Sequence, residues 1–113
     1  MATASAQTDS LSARYLKFAV ERIEGRLPAH MVVKSDTVIA DEKGNINVHV
    51  NFYLDRGSGE IEKIIEETNY QGVKTEIVVY YRAGSPILFC TKQWEGSALK
   101  IDFEYVADFN FRH

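Results

Sequence analysis

Histidine and cysteine side chains are the groups in this chain best suited to acid–base, nucleophilic or metal chemistry, and both are scarce. The 113 residues include three histidines, His30, His49 and His113, and one cysteine, Cys90. Only His49 lies inside a regular predicted strand, on its polar face, where an imidazole could act as an acid or a base. Cys90 lies in mid-strand, where the positive neighbour that activates a thiolate is seldom present. We expect a solvated histidine and an inert, buried cysteine.

Common enzyme signatures are missing from the sequence. It has no nucleophile elbow, HExxH pair, dinucleotide-binding fingerprint or CxxC motif. The segment Arg56-Gly57-Ser58-Gly59-Glu60 leads into a predicted helix and could hold an anion on its backbone N–H groups. It lacks the spacing of a phosphate loop, so an ordinary turn is the expected structure. We therefore predict no catalytic residues, no cofactor and no metal site, and a protein that is not an enzyme.

Carboxylates and spare aromatic side chains are the remaining candidates, and they favour binding over catalysis. Between residues 55 and 76, six acidic residues stand against three basic ones, which leaves a local charge of −3. Clustered carboxylates can capture a basic partner, and tyrosine and tryptophan are frequent anchors at protein interfaces. The predicted partner-binding residues are Asp55, Glu60, Glu62, Glu66, Glu67, Tyr80, Trp94, Asp102 and Glu104.

The elements that would position these residues follow from hydrophobic periodicity. Apolar residues at three- and four-residue spacing predict helices over 9–27 and 58–69. Strict alternation, as in 46–54 and 99–111, predicts strands with one buried and one wet face. Hairpins are expected over 31–54, where Gly44 can close the turn, and over 74–94. The order α-β-β-α-β-β-β predicts an α+β two-layer sandwich, a five-stranded antiparallel sheet with helices on one face.

Length and charge restrict the class of protein further. The chain has enough residues for one domain, which we place at 9–113 after a flexible lead-in, 1–8. A net charge of −3 argues against nucleic-acid binding. No stretch approaches the roughly 20 apolar residues that span a bilayer, and the N-terminus does not have the pattern of a signal peptide. A cytoplasmic protein without a membrane partner is expected.

The element order and the C-terminal strand resemble small bacterial toxin-immunity proteins of the YezG type. The resemblance rests on an amphipathic N-terminal helix, an early hairpin, an acidic helix, Trp94, and the segment Gly-x-x-Leu-Lys-Ile-Asp-Phe-Glu-Tyr from Gly96 to Tyr105. The predicted second helix is short, and Trp94 lies closer to the final turn than in that family. The resemblance implies a protein that neutralises a toxin by covering it with an acidic surface.

Three functions remain open on the sequence. The first is a non-enzymatic protein-binding domain, an acidic inhibitor of the immunity type that covers a basic partner such as a toxin. The second is a small-molecule-binding or minor enzymatic domain with a cavity between helix and curved sheet, in which His49, Tyr80 or Asp102 contributes polar groups. The third is a module that covers its bare sheet face by self-association, for example as a homodimer.

Overall fold

An amphipathic helix precedes six strands in the computed structural model, which describes residues 2–106 of the chain. The elements are α1 (Ala2–Arg26), a 3-10 helix (Leu27–Ala29), β1 (Met31–Asp41), β2 (Gly44–Leu54), β3 (Ile61–Tyr70), β4 (Val73–Arg82), β5 (Ser85–Glu95) and β6 (Ala98–Val106). The predicted strand residues 107–111 and His113 lie outside the described residues. The predicted boundary between a lead-in, 1–8, and the domain, 9–113, stays a prediction.

The strands form one antiparallel meander in the order β1-β2-β3-β4-β5-β6. Both predicted hairpins, 31–54 and 74–94, are confirmed. Gly44 takes a φ of 143°, a conformation that L side chains rarely adopt, at the turn between β1 and β2. Because the chain runs strand by strand across the sheet, β1 and β6 are its two edges.

The predicted α+β sandwich with five strands and two helices is wrong, because the segment 58–69 is not a helix. Ile61–Tyr70 is strand β3 and pairs with β2 and β4 along its length. Ile61, Ile64 and Ile65 match a helical stripe, but their β-branched side chains also suit a pleated sheet. A central position between two strands satisfies the backbone groups on both sides of β3. The Gly-Ser-Gly segment turns the chain into β3 instead of capping a helix.

The helix α1 packs on one end of one sheet face, which we call the helix face. The apolar spacing that predicts this helix is confirmed at Ala19 and Ile23, which are buried against Tyr80, Ile87 and Leu88. Leu16, Val20 and Leu27 from the helix, with Val78 and Cys90 from the sheet, surround this small core. The row Tyr53–Lys63–Tyr80–Leu88 crosses the sheet beneath the helix.

The covered face is the opposite of the one that the alternation in β2 predicts. The regular apolar set of β2, Ile46, Val48, Val50, Phe52 and Leu54, has the other parity from Tyr53 and points away from the helix. The physical reason lies in β4 and β5, where the helix packs on an apolar surface formed by Val78, Tyr80, Leu88 and Cys90. The packing of α1 was therefore determined by strands that are apolar on both faces.

Candidate functional site

The sheet face opposite the helix, which we call the open face, is the first candidate surface among residues 2–106. The strand registers arrange its central side chains in three rows that cross the sheet. The first row is Val33, Phe52, Ile64, Val79 and Phe89. The second row is Ser35, Val50, Glu66, Ile77, Thr91 and Phe103. The third row is Thr37, Val48, Thr68, Thr75, Gln93 and Ile101.

No second layer of described residues covers the open face. Its edge residues are strongly exposed, with Val33 at 45%, Ile101 at 42% and Phe103 at 54%. Within the described part of the chain, only Val79 of these rows is buried, at 9% exposure. Val79 does not belong to the core cluster under the helix. Sheets in stable domains are normally covered by another layer on their apolar face, so this surface is unusual for a complete domain.

The chemistry of the open face is nearly neutral. Glu66, opposite Val50 on β2 and Ile77 on β4, is the one charged residue in the three rows. Thr68 and Thr75 pair across β3 and β4 in the third row. The face therefore changes from purely apolar in the first row to rich in hydroxyl groups in the third, which offers both apolar contact and hydrogen-bond donors.

A second feature is a charged junction where the end of α1 meets β3. Arg26 Nη2 lies 2.6 Å from both carboxylate oxygens of Glu62. His30, whose side chain is only 2% exposed, places Nε2 at 2.8 Å from Glu62 Oε1 and Nδ1 at 2.8 Å from the Arg26 carbonyl oxygen. A ring protonated on both nitrogens donates to both acceptors. The junction ties the helix end to the sheet.

A neighbouring set of polar groups lies beneath the helix. Lys63 is buried at 8% exposure, and its Nζ lies 2.5 Å from Glu24 Oε2 and 5.1 Å from the Tyr80 ring centre. The Tyr80 hydroxyl donates to the same Glu24 oxygen at 2.5 Å. Burial raises the pKa of Glu24, but hydrogen bonds from Lys63 and Tyr80 outweigh burial and hold that pKa below its ordinary value. This arrangement neutralises a buried ammonium group.

His30, Asp55 and Glu62 bring potential metal-ligand atoms within 4.8 Å of one another. The Glu62 carboxylate is already paired with the Arg26 guanidinium, and the Asp55 carboxylate accepts hydrogen bonds from Ser58. A cation bound there would have to displace an existing positive charge. We therefore interpret this set as an ion-paired junction.

The structure distributes the predicted partner-binding residues over separate surfaces. Glu62 faces the helix end, whereas Glu66 lies on the open face and Glu67 on the helix face, where it pairs with Lys74 at 3.5 Å. Glu66 and Glu67 separate because neighbouring side chains in a strand alternate between faces. Glu62 has the parity of Glu66, but it lies at a register irregularity where it has no partner residue in β2, so regular alternation does not apply to it. Asp55 and Glu60 belong to the loop before β3, where their backbones are hydrogen-bonded to each other.

The remaining predicted residues also lie apart. Tyr80 is buried under the helix, so it is not available as a surface anchor. Trp94 stacks with the Lys74 ammonium group, 5.2 Å from its ring centre. Asp102 and Glu104 are exposed on β6, where they pair across the sheet with Lys92 and Cys90.

The two groups suited to catalysis are poorly placed for it. Burial, and then the Glu104 carboxylate, raise the pKa of the Cys90 thiol, which disfavours the nucleophilic thiolate. His49 is exposed and bonds to Asp36 at 2.7 Å. Cys90 and His49 share the helix face, but β3 and β4 separate their strands, a distance of roughly 14 Å at the usual strand spacing. They do not form a dyad.

Comparison with known proteins adds no relative: no protein-family model, curated protein or solved structure matches the chain. The resemblance to YezG-type immunity proteins therefore stays a prediction. Within the described residues, no helix has the length and apolar character needed to cross a bilayer.

Sequence reasoning missed Arg26, His30 and Lys63, because their partners lie 32 or more positions away along the chain. It also missed the open face, although a signal was present. The runs IVVYY in β4 and ILFC in β5 are continuously apolar, a pattern typical of strands that are buried on both faces.

Proposed function

We propose that the protein is a protein-interaction domain without catalytic activity, and that a second copy of the same chain occupies its open face. The observation that carries this proposal is the uncovered, nearly neutral face of the meander. Two such faces packed together would form a β-sandwich, with the two helices on its outer surfaces.

The small core supports the need for a second layer. The buried apolar residues of the described region are Ala19, Ile23, Val79, Tyr80, Ile87 and Leu88, and none of them falls below 2% exposure. Folded domains are only marginally stable, because apolar burial must offset a large loss of chain entropy. Covering the first and second rows of the open face would add the apolar burial that one copy does not provide.

The dimensions of the sheet suit a dimer. Six strands about 4.8 Å apart, each about ten residues long at about 3.3 Å per residue, present a plane on the order of 900 Å². A standard stable interface buries about 800 Å² on each partner. The open face is therefore large enough for a specific dimer without a contribution from the sheet edges.

The charge distribution favours an identical partner over a basic one. A basic protein needs carboxylates gathered on one surface, and here Glu62, Glu66 and Glu67 point in different directions or are already paired. The three rows of each open face bring one carboxylate, Glu66, into an interface that also contains threonine hydroxyl groups. Twofold symmetry brings the same patch of each copy together, and a nearly neutral patch meets its own copy without repulsion between like charges.

The acidic-inhibitor hypothesis is the competing proposal for a partner, and salt distinguishes the two. Contacts between apolar faces persist as ionic strength rises, whereas capture by surface carboxylates weakens. We also propose a reducing, cytoplasmic location, which suits a chain whose single cysteine is partly buried in a strand.

Sedimentation equilibrium tests the proposal directly. The expected result is a mass of twice the 12.8 kDa chain at tens of micromolar, unchanged or strengthened in high salt. A folded monomer that shows no concentration dependence would contradict it. A dimer that dissociates as salt rises would also contradict it, because charged contacts would then hold the copies together.

A further inference from the structure

A pocket of about 190 Å³ lies between the helix and the sheet, away from the open face. Arg22, Ile23 and Arg26 line it from α1, Glu62 from β3, and Tyr81 and Arg82 from β4. At the roughly 30 Å³ that a water molecule occupies in the liquid, the space accommodates about six non-hydrogen atoms. The pocket is therefore the size of a small charged group, not of an extended ligand.

The pocket gathers positive charge in a protein that is acidic overall. Three arginines line it together with one acidic residue, Glu62, whose carboxylate already accepts from Arg26 and His30. Among the described residues, no hydrogen-bond acceptor meets the side chain of Arg22 or Arg82. Two positive charges at this pocket consequently have no anionic partner among the described residues, while the whole chain carries −3.

Arg26 shows that the guanidinium network is incomplete. Its Nη2 atom alone contacts Glu62, and its Nε atom is buried without an acceptor in the described part of the chain. A buried N–H group without an acceptor costs free energy. The position of Arg26 in the last turn of α1 explains why one cation lies there, because helix C-termini favour positive charge. It does not explain Arg22 and Arg82.

Aromatic rings hold the two unpaired arginines near the pocket. The Arg82 guanidinium carbon lies 5.1 Å from the Tyr15 ring centre, and that of Arg22 lies 5.9 Å from the Phe18 ring centre. Stacking on a ring leaves the N–H groups at the edge of the guanidinium plane available to an acceptor. The arginines are thus oriented before any ligand binds.

We propose that this pocket binds a phosphate group, as inorganic phosphate or as the end group of a phosphomonoester. A tetrahedral oxyanion accepts hydrogen bonds from several directions, which suits a pocket lined by three arginines, and its double negative charge offsets Arg22 and Arg82, which have no carboxylate partner. The site does not depend on the open face, so it is tested separately from self-association.

The probe is inorganic phosphate, titrated at constant ionic strength while the arginine Nε–H signals are followed by NMR and the heat of binding by calorimetry. The test variant carries Arg22→Gln with Arg82→Gln. The matched control carries Lys17→Gln with Lys100→Gln, which makes the same change in net charge at exposed residues that do not line the pocket. Methyl phosphate serves as the phosphomonoester.

The site is supported if phosphate binds the wild-type protein saturably and moves the Nε–H signals of the three pocket arginines. It further requires that binding weakens at least about tenfold in the test variant but less than twofold in the control. Tighter binding of methyl phosphate than of inorganic phosphate assigns the pocket to phosphomonoesters, and the reverse assigns it to the free ion. Binding that does not saturate, or that weakens equally in both variants, overturns the proposal. Because the four substituted residues are exposed, circular dichroism is expected to show both variants folded.

Discussion

Replacing Val33 by aspartate should separate the two copies, whereas the same change at Val32 should not. The two valines are neighbours in the edge strand β1 and are almost equally exposed, at 45% and 41%. Val33 pairs with Phe52 on the open face, and Val32 pairs with Tyr53 on the helix face. Any general cost of an aspartate in β1 applies to both variants, so their difference reports which face is covered.

The magnitude follows from the exposed fraction of Val33. Burying a whole valine-sized side chain contributes about 1.5–3 kcal/mol, so the exposed 45% represents about 0.7–1.3 kcal/mol per copy. A twofold dimer contains the site twice, which amounts to about 1.5–2.5 kcal/mol. Burial of two unpaired carboxylates adds several kcal/mol more. We therefore expect Val33→Asp to weaken the dimer by at least about 100-fold.

Sedimentation equilibrium across a concentration series measures this effect, and circular dichroism checks that both variants are folded. If Val33→Asp unfolds on dilution while Val32→Asp remains dimeric, folding and association are linked through the open face, which agrees with the account. Equal dissociation of both variants would indicate pairing through the β1 edge and would refute the reasoning. Dimers that tolerate both changes would also refute it.

Four further predictions concern single polar groups. Glu66→Gln should tighten self-association about tenfold, because it removes a charge that the dimer buries; sedimentation would show no change if Glu66 stays in water. Glu24→Ala should lower the free energy of unfolding by about 2 kcal/mol, because Lys63 loses its carboxylate partner. This magnitude lies between the values for exposed and for buried ion pairs. A urea unfolding midpoint within error of the wild-type midpoint would contradict this prediction. Because the pKa of Glu24 is lowered in the folded state, its ionised carboxylate stabilises the fold at pH values above the ordinary pKa of 4.5, and this stabilisation is lost as the pH falls through the folded pKa. Glu24→Gln should therefore reduce the dependence of the free energy of unfolding on pH in the acidic range, measured by urea unfolding at each pH. An equally steep dependence in the variant would count against this prediction. Cys90 should react slowly with iodoacetamide, and Glu104→Gln should accelerate the reaction by lowering the thiol pKa; an unchanged rate would show that the carboxylate has no influence.

Local patterns in the sequence predicted the elements that local chemistry determines. The stripe of α1 and the turn at Gly44 follow from helical spacing and from a conformation that favours glycine, and both appear in the structure. The interpretation of 58–69 as a helix failed because Ile61, Ile64 and Ile65 satisfy two periodicities at once. Long-range pairing with β2 and β4 decided between them, and no local pattern contains that information.

The prediction of which sheet face is covered failed for a related reason. Alternation in β2 indicates that its two faces differ but does not identify the layer that covers the apolar one. The helix packs on the apolar residues of β4 and β5, and these strands carry apolar side chains on both faces of the sheet. In β4, Val78 points to the helix face and Val79 to the open face, and in β5 Leu88 and Phe89 divide in the same way. The site residues Arg26 and His30 meet Glu62 only because the helix docks there, which depends on the whole fold.

Intermolecular NOEs provide the most direct test of the central claim that a second copy covers the open face. A sample mixed from isotope-labelled and unlabelled chains, recorded with isotope filtering, reports only contacts between copies. The account predicts NOEs among open-face side chains, including the methyl groups of Val50 and Ile77 and the ring of Phe52. Intermolecular NOEs confined to the helix face or to the strand edges, or their complete absence in a folded sample, would contradict it.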